Sequence, residues 1–131
     1  MPPAPGSSVR SRAASVALAQ GAYYLATGIW PFVSMRTFTA VTGPKADLWL
    51  VRTVGGLVGV IGGVLLAAGR AERVTKEVKW LGAGSAAALG VIDTYYALKG
   101  RISPVYLGDA VAEAAIVGAW ALTDDADEPE S

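Results

Sequence analysis

The sequence predicts an all-α protein, a bundle of four transmembrane helices in up-down order with both termini on the cytoplasmic side. Three observations predict it. Four apolar segments follow one another and leave little of the 131 residues for a soluble domain, and about 20 apolar residues suffice to cross the hydrocarbon core. Hydrophobic residues make up 53 % of the chain, and the stretch from Thr53 to Gly69 carries no charge. A soluble bundle needs polar outer faces, whereas helices apolar all round belong in lipid or deep inside a large protein. Finally, the formal net charge of zero hides a segregation, with most charges in the connections and at the ends.

Residues 1–12, rich in Pro and Ser toward their start, read as a flexible lead-in. Arg10 and Arg12 before an apolar run also fit a secretory signal, with Ala17 and Ala19 imitating a cleavage site. A signal core has about 7–15 residues, and this run is longer and carries Tyr23, Tyr24 and Trp30, which favours a retained helix. That first helix is expected at about residues 13–37, with Gln20 its main polar side chain besides hydroxyls. Gly43 and Pro44 then break the chain in a tight turn, and Asp47 is placed to cap the next helix. The second helix covers about residues 48–69 and contains Arg52. The connection from Arg70 to Lys79 mixes charges, and its four basic residues suit anionic headgroups. The third helix, about residues 79–99, contains Asp93. Ser103 is read as the N-cap and Pro104 as the first residue of the fourth helix, about residues 104–122, which contains Asp109 and Glu113. The tail, residues 124–131, holds Asp124, Asp125, Asp127, Glu128 and Glu130 and reads as disordered.

Orientation follows from the basic residues. Arg10, Arg12, Arg70, Arg73, Lys76 and Lys79 fall on one side, Lys45, Lys99 and Arg101 on the other, with Arg36 and Arg52 at outer helix ends. The positive-inside rule then places both termini in the cytoplasm of a bacterial inner membrane. Trp30 and Trp49 fit an outer aromatic belt, Trp80 and Trp120 an inner one. Small-residue rows let helix backbones approach: Gly55, Gly59 and Gly63, then Gly82, Ala86 and Gly90, then Ala110, Ala114 and Gly118. They serve packing within one bundle, or contact with a second copy or another membrane protein in the bilayer.

No cysteine and no histidine occur, which removes thiol chemistry, disulfides, the usual zinc sites and histidine-ligated haem. No cofactor, no metal, no nucleic-acid partner and no enzymatic activity is expected. The chemistry that remains lies in the intramembrane charges. At about 1.5 Å of rise per residue, Arg36, Arg52, Asp93, Asp109 and Glu113 all fall in the outer half of the bundle. Asp109 and Glu113 share a face at i, i+4. Charges in a membrane pair inside the bundle or line a wet cavity. Two arginines against three carboxylates leave one negative charge over. It is removed if Glu113 keeps a proton, if a cation binds, or if Lys99 snorkels in. Tyr95, Tyr96 and Tyr106 are further candidates for this cluster, while Tyr23 and Tyr24, near mid-helix, need a partner for at least one hydroxyl.

The turn from Thr42 to Lys45, the segment from Asp47 to Arg52 and the segment from Arg101 to Leu107 resemble parts of small four-helix membrane proteins of bacteria, over about residues 20–120. That resemblance implies a fold and no activity. Size and helix count are also similar to small multidrug transporters, whose pattern requires an acidic residue within the first transmembrane helix, where this chain has Gln20. Two functions are therefore expected. One is a membrane scaffold or accessory subunit with a salt-bridged charge layer. The other is a proton- or cation-coupled small-solute transporter using Asp93, Asp109 and Glu113.

Overall fold

A computed structural model describes residues 11–123; the expectations for residues 1–10 and for the acidic tail lie outside them. The described residues form five helices and no strand: α1 (Arg12–Val33), α2 (Met35–Thr42), α3 (Leu48–Arg70), α4 (Lys76–Leu98) and α5 (Val105–Ala121). The four long helices run up and down. At one end Arg12 Nη1 donates to the Leu122 carbonyl at 3.4 Å and Lys79 Nζ to the Thr123 carbonyl at 3.1 Å, so the starts of α1 and α4 meet the end of α5. At the other end the α2–α3 and α4–α5 connections face each other across a cleft of about 470 Å³, lined by Thr42, Lys45, Arg101 and Ser103 among others.

Helix α1 is the hub. One of its faces packs along the length of α3, and another meets α4 and α5, which pair with each other, while α3 also touches α4. The α1–α3 seam is built from residues seven apart: Ala14, Gly21 and Gly28 on α1 and Gly55, Gly62 and Gly69 on α3, all buried. A Cβ at Gly21 would stand 2.6 Å from the Leu66 nitrogen, at Gly28 2.5 Å from the Gly55 carbonyl oxygen, and at Gly62 2.5 Å from the Leu25 nitrogen. Backbone therefore touches backbone at every second turn. The expected row Gly55, Gly59 and Gly63 needs correcting in this light. A four-residue step turns the helix by about 400° and drifts off a straight contact, whereas a seven-residue step drifts back by only about 20°. A Cβ on Gly59 or Gly63 accordingly meets nothing within 4 Å, although the Gly59 backbone still lies against Gly28.

On α4 the small residues seat large side chains instead of another backbone. A Cβ at Gly82 would stand 2.7 Å from both Trp120 Nε1 and Gln20 Oε1, and one at Gly90 would stand 3.2 Å from Glu113 Cβ. Ala86 is fully buried between them. On α5, Ala110 is half-buried against Gly90, but Gly118 has open space at its Cβ position and Ala114 is exposed, so the rest of that row does not pack inside the protein.

Several boundaries differ from expectation. The first helix stops at Val33 instead of running to about residue 37. Pro31 lacks the N–H of the last turn, and Ser34 turns extended (φ −154°, ψ 91°) with its hydroxyl accepting from the Thr37 N–H to start α2. Trp30 pins α2 with an edge contact to Phe38 and a 2.9 Å hydrogen bond to Thr37 Oγ1. Helix α4 begins earlier, at Lys76, because the Thr75 hydroxyl accepts from the Val78 N–H. Pro104, not Ser103, holds the N-cap position of α5, and Ser103 Oγ accepts from the Val105 N–H at 3.3 Å. Asp47 sits at the N-cap position of α3 but makes no side-chain cap bond.

The distribution of polarity is inverted relative to a soluble bundle. Beside a small apolar core of Leu65, Val74 and Trp120, many buried residues are small or polar, including Ala13, Ala14, Ala17, Gln20, Asp93 and Glu113, while Leu57, Val60, Val91 and Val111 are each more than 60 % exposed. Among the described helices, α3 is the one long and apolar enough to cross a membrane, and only 17 % of its most apolar stretch is buried. Helix α1 is diluted by Gln20, tyrosines and threonine, α4 opens on Lys76, Glu77 and Lys79, and α5 has 17 residues.

Candidate functional site

The interior polar groups form two layers where α1, α4 and α5 meet. The first ties the helices near the end that holds Arg12 and Lys79. Gln20 of α1 donates from Nε2 to the Gly82 carbonyl of α4 at 2.8 Å and accepts from Trp120 Nε1 of α5 at 2.6 Å. Both side chains are 1 % exposed. Trp120 is thus a core residue and not the interface anchor expected, whereas Trp49 and Trp80 are exposed.

The second layer is acidic. Asp93 of α4 meets Asp109 and Glu113 of α5, with one oxygen of each carboxylate within 4.8 Å of the others. Helix periodicity brings the last two onto one face, and Gly90, one turn before Asp93, leaves room for the Glu113 side chain. Helix α1 closes the site. The Tyr23 hydroxyl donates to Asp109 Oδ1, and the Tyr24 hydroxyl donates to Glu113 Oε1 at 2.6 Å. Tyr24, Glu113 and Asp93 are buried, and Asp93 Oδ2 has no hydrogen-bond partner. Asp109, one turn nearer the α4–α5 connection than Glu113, is half-buried.

The arginines expected here are elsewhere. Arg52 is exposed on α3, and Arg36 is exposed on α2 beyond the break at Ser34. The hydrogen bonds that reach Asp109 and Glu113 come from tyrosines instead. Tyr95 and Tyr96 are also exposed and stack edge to face on each other, with Lys99 Nζ 5.3 Å from the Tyr95 ring. They point away because Asp93 alone takes the inner face of that turn. Tyr106, one turn before Asp109, lies toward the α4–α5 connection, where Lys45 Nζ stands 5.3 Å from its ring. Lys45 also donates to the Thr42 carbonyl, the Thr42 hydroxyl and the Gly43 carbonyl at 2.8–3.1 Å. Burial pushes its ammonium group below the usual lysine range.

Sequence reasoning missed that α1, which has no charge after Arg12, supplies every neutral partner. The signal was present in the spacing: Gln20 and Tyr24 share one face at i, i+4, and Glu113 and Trp120 share one at i, i+7. Chemically, the site is a cluster of three carboxylates steadied by phenolic donors, suited to holding protons or a hard cation. Fold and site together define a helical bundle with a carboxylate–tyrosine centre in its interior. No protein-family model, no curated protein and no solved structure matches the chain.

Proposed function

We propose that this chain is a multi-pass protein of a bacterial inner membrane, with both termini cytoplasmic, and that its acidic centre carries a proton or a cation in a small-solute transport cycle. The observation that carries the reading is the interior triad of buried Asp93 and Glu113 and half-buried Asp109, gathered within 4.8 Å and hydrogen-bonded by tyrosines with both arginines outside it. A purely structural charge layer needs paired opposite charges, because isolated buried charge is strongly unfavourable. Carboxylates collected without cationic partners are what a site that loads and unloads a positive charge requires.

The membrane setting is supported by the exposed apolar side chains and by helix length. At about 1.5 Å per residue, α1, α3 and α4 are each about 33–35 Å long and α5 about 26 Å, against a hydrocarbon core of about 30 Å. Gln20, Tyr23 and Tyr24 of α1, Asp93 of α4 and Asp109 and Glu113 of α5 face the bundle interior, so these polar side chains do not burden a lipid face.

The test is proton and cation flux into liposomes holding the purified protein. Flux is expected in the native chain and absent in Glu113→Gln, with both proteins equally helical. Native protein without flux above empty liposomes would refute the transport reading. The scaffold reading keeps one specific support, the open space at Gly63 and Gly118, which suits a partner helix. Cysteine crosslinking at Val60 in membranes would detect such contact.

A further inference from the structure

We infer that Asp93, Asp109 and Glu113 form a binding site for one divalent metal ion of about the size of calcium. The inference rests on the reading of this centre as a cation site and names the cation. Two independent features carry it.

The first is the ligand set. Each of the three carboxylates places an oxygen within 4.8 Å of the others, and hard cations take such oxygen ligands. Calcium accepts several carboxylates in flexible geometry at about 2.3–2.6 Å, whereas magnesium demands near-ideal octahedral geometry at about 2.0–2.1 Å and is usually held by one or two carboxylates. Three carboxylates from two helices, with four oxygens left free by the tyrosines and water to complete the shell, therefore suit calcium better than magnesium.

The second is Asp93 itself. Its side chain is 6 % exposed, and Oδ2 is buried without a hydrogen-bond partner beside the two α5 carboxylates. Buried carboxylate oxygens are nearly always met by a donor or a cation. Tyr23 and Tyr24 each occupy one oxygen of Asp109 and Glu113 and leave the other free. That is how supporting hydrogen bonds orient metal-binding carboxylates. A divalent ion also leaves only one of the three negative charges uncompensated, which the two phenolic donors spread, whereas a monovalent ion leaves two.

The experiment uses the full chain in detergent with manganese(II) as a paramagnetic probe, followed by electron paramagnetic resonance and competed with calcium and magnesium. One saturable manganese per chain is expected, displaced by calcium at lower concentration than by magnesium. Asp93→Asn is expected to weaken binding at least about tenfold while Tyr95→Phe leaves it unchanged. If Asp93→Asn does not fold, as judged by circular dichroism, Asp109→Asn carries the same expectation. A folded protein without saturable binding, or binding unaltered in both asparagine variants, overturns the inference. Proton flux that depends on Glu113 in a protein that binds no manganese also overturns it and leaves the transport reading standing. Metal binding without any flux supports the site and removes transport instead.

Discussion

Gly62→Ala separates the seven-residue seam from the four-residue row on the same helix. The new Cβ would lie 2.5 Å from the Leu25 nitrogen, 2.8 Å from the Gly21 carbonyl oxygen and 2.9 Å from Tyr24 Cβ. Comfortable carbon contacts are about 3.5–4.0 Å, so α1 and α3 must part by about 1 Å. A gap of that size forfeits about a quarter to a half of each dispersion contact along the seam. Overpacking of a tight core costs about 1–3 kcal/mol, and the upper end applies because the obstructing atoms are mostly backbone and cannot rotate aside. Alanine returns about 1 kcal/mol in helix propensity, for a net loss of about 2 kcal/mol. At the next position, Gly63→Ala meets nothing within 4 Å, so it keeps only the propensity gain of about 1 kcal/mol. Adjacent variants should thus differ by about 3 kcal/mol. Reversible unfolding in mixed micelles, followed by circular dichroism, measures the difference. A tolerated Gly62→Ala, or a Gly63→Ala that costs as much, would refute the seam.

Other outcomes follow from the two polar layers and the turn that holds Lys45. Gln20→Leu leaves the Trp120 N–H buried without an acceptor and should cost about 1–3 kcal/mol; adding Trp120→Phe should recover part of that loss in a double-mutant cycle. Tyr24→Phe removes the donor to buried Glu113 and should destabilise by about 1–3 kcal/mol, whereas Tyr95→Phe, on an exposed face, should stay within about 0.5 kcal/mol of the native chain. For Lys45 the folded-state pKa lies below the ordinary 10.5. Between the two values the unfolded chain binds more protons, so stability should rise with pH through that alkaline window. Melting temperatures of native protein and Lys45→Met across the window check the sign, since the variant should lack this component of the rise.

The all-α class was legible because apolar length and charge segregation are local properties of the chain. The depth of the charges was legible too, because rise per residue converts sequence position into height along a helix. Height brought Asp93, Asp109 and Glu113 to one level, and these three do meet. It also brought Arg52 to that level, where height alone misleads. Which helices are neighbours is a second coordinate, and it depends on which face of α3 can approach α1. That face is chosen by Gly55, Gly62 and Gly69, the positions where a Cβ would collide with the opposite helix. With that face held against α1, Arg52 is left exposed on α3, and tyrosines of α1 meet Asp109 and Glu113 instead. The break at Ser34 removes Arg36 by a different route, since a single serine cap after Pro31 was enough to end a helix that apolar character alone would extend.

The same geometry ties packing to chemistry. Along α1, Gly21 and Gly28 lie on the seam with α3, while Gln20 and Tyr24 hydrogen-bond across to α5, Gln20 also reaching α4. Both faces share one rigid backbone, so the position of the Tyr23 and Tyr24 hydroxyls is fixed from behind by α3. Gly62→Ala displaces Tyr24 directly, since Tyr24 Cβ is among the atoms the new methyl would strike. A perturbation made in an apolar seam is therefore transmitted to the oxygens of Asp109 and Glu113 through a shift of one helix. If the acidic centre binds a cation, its affinity should fall in Gly62→Ala and hold in Gly63→Ala, although neither residue touches a carboxylate. Equal affinities in the two variants would mean that the centre is positioned by α4 and α5 alone.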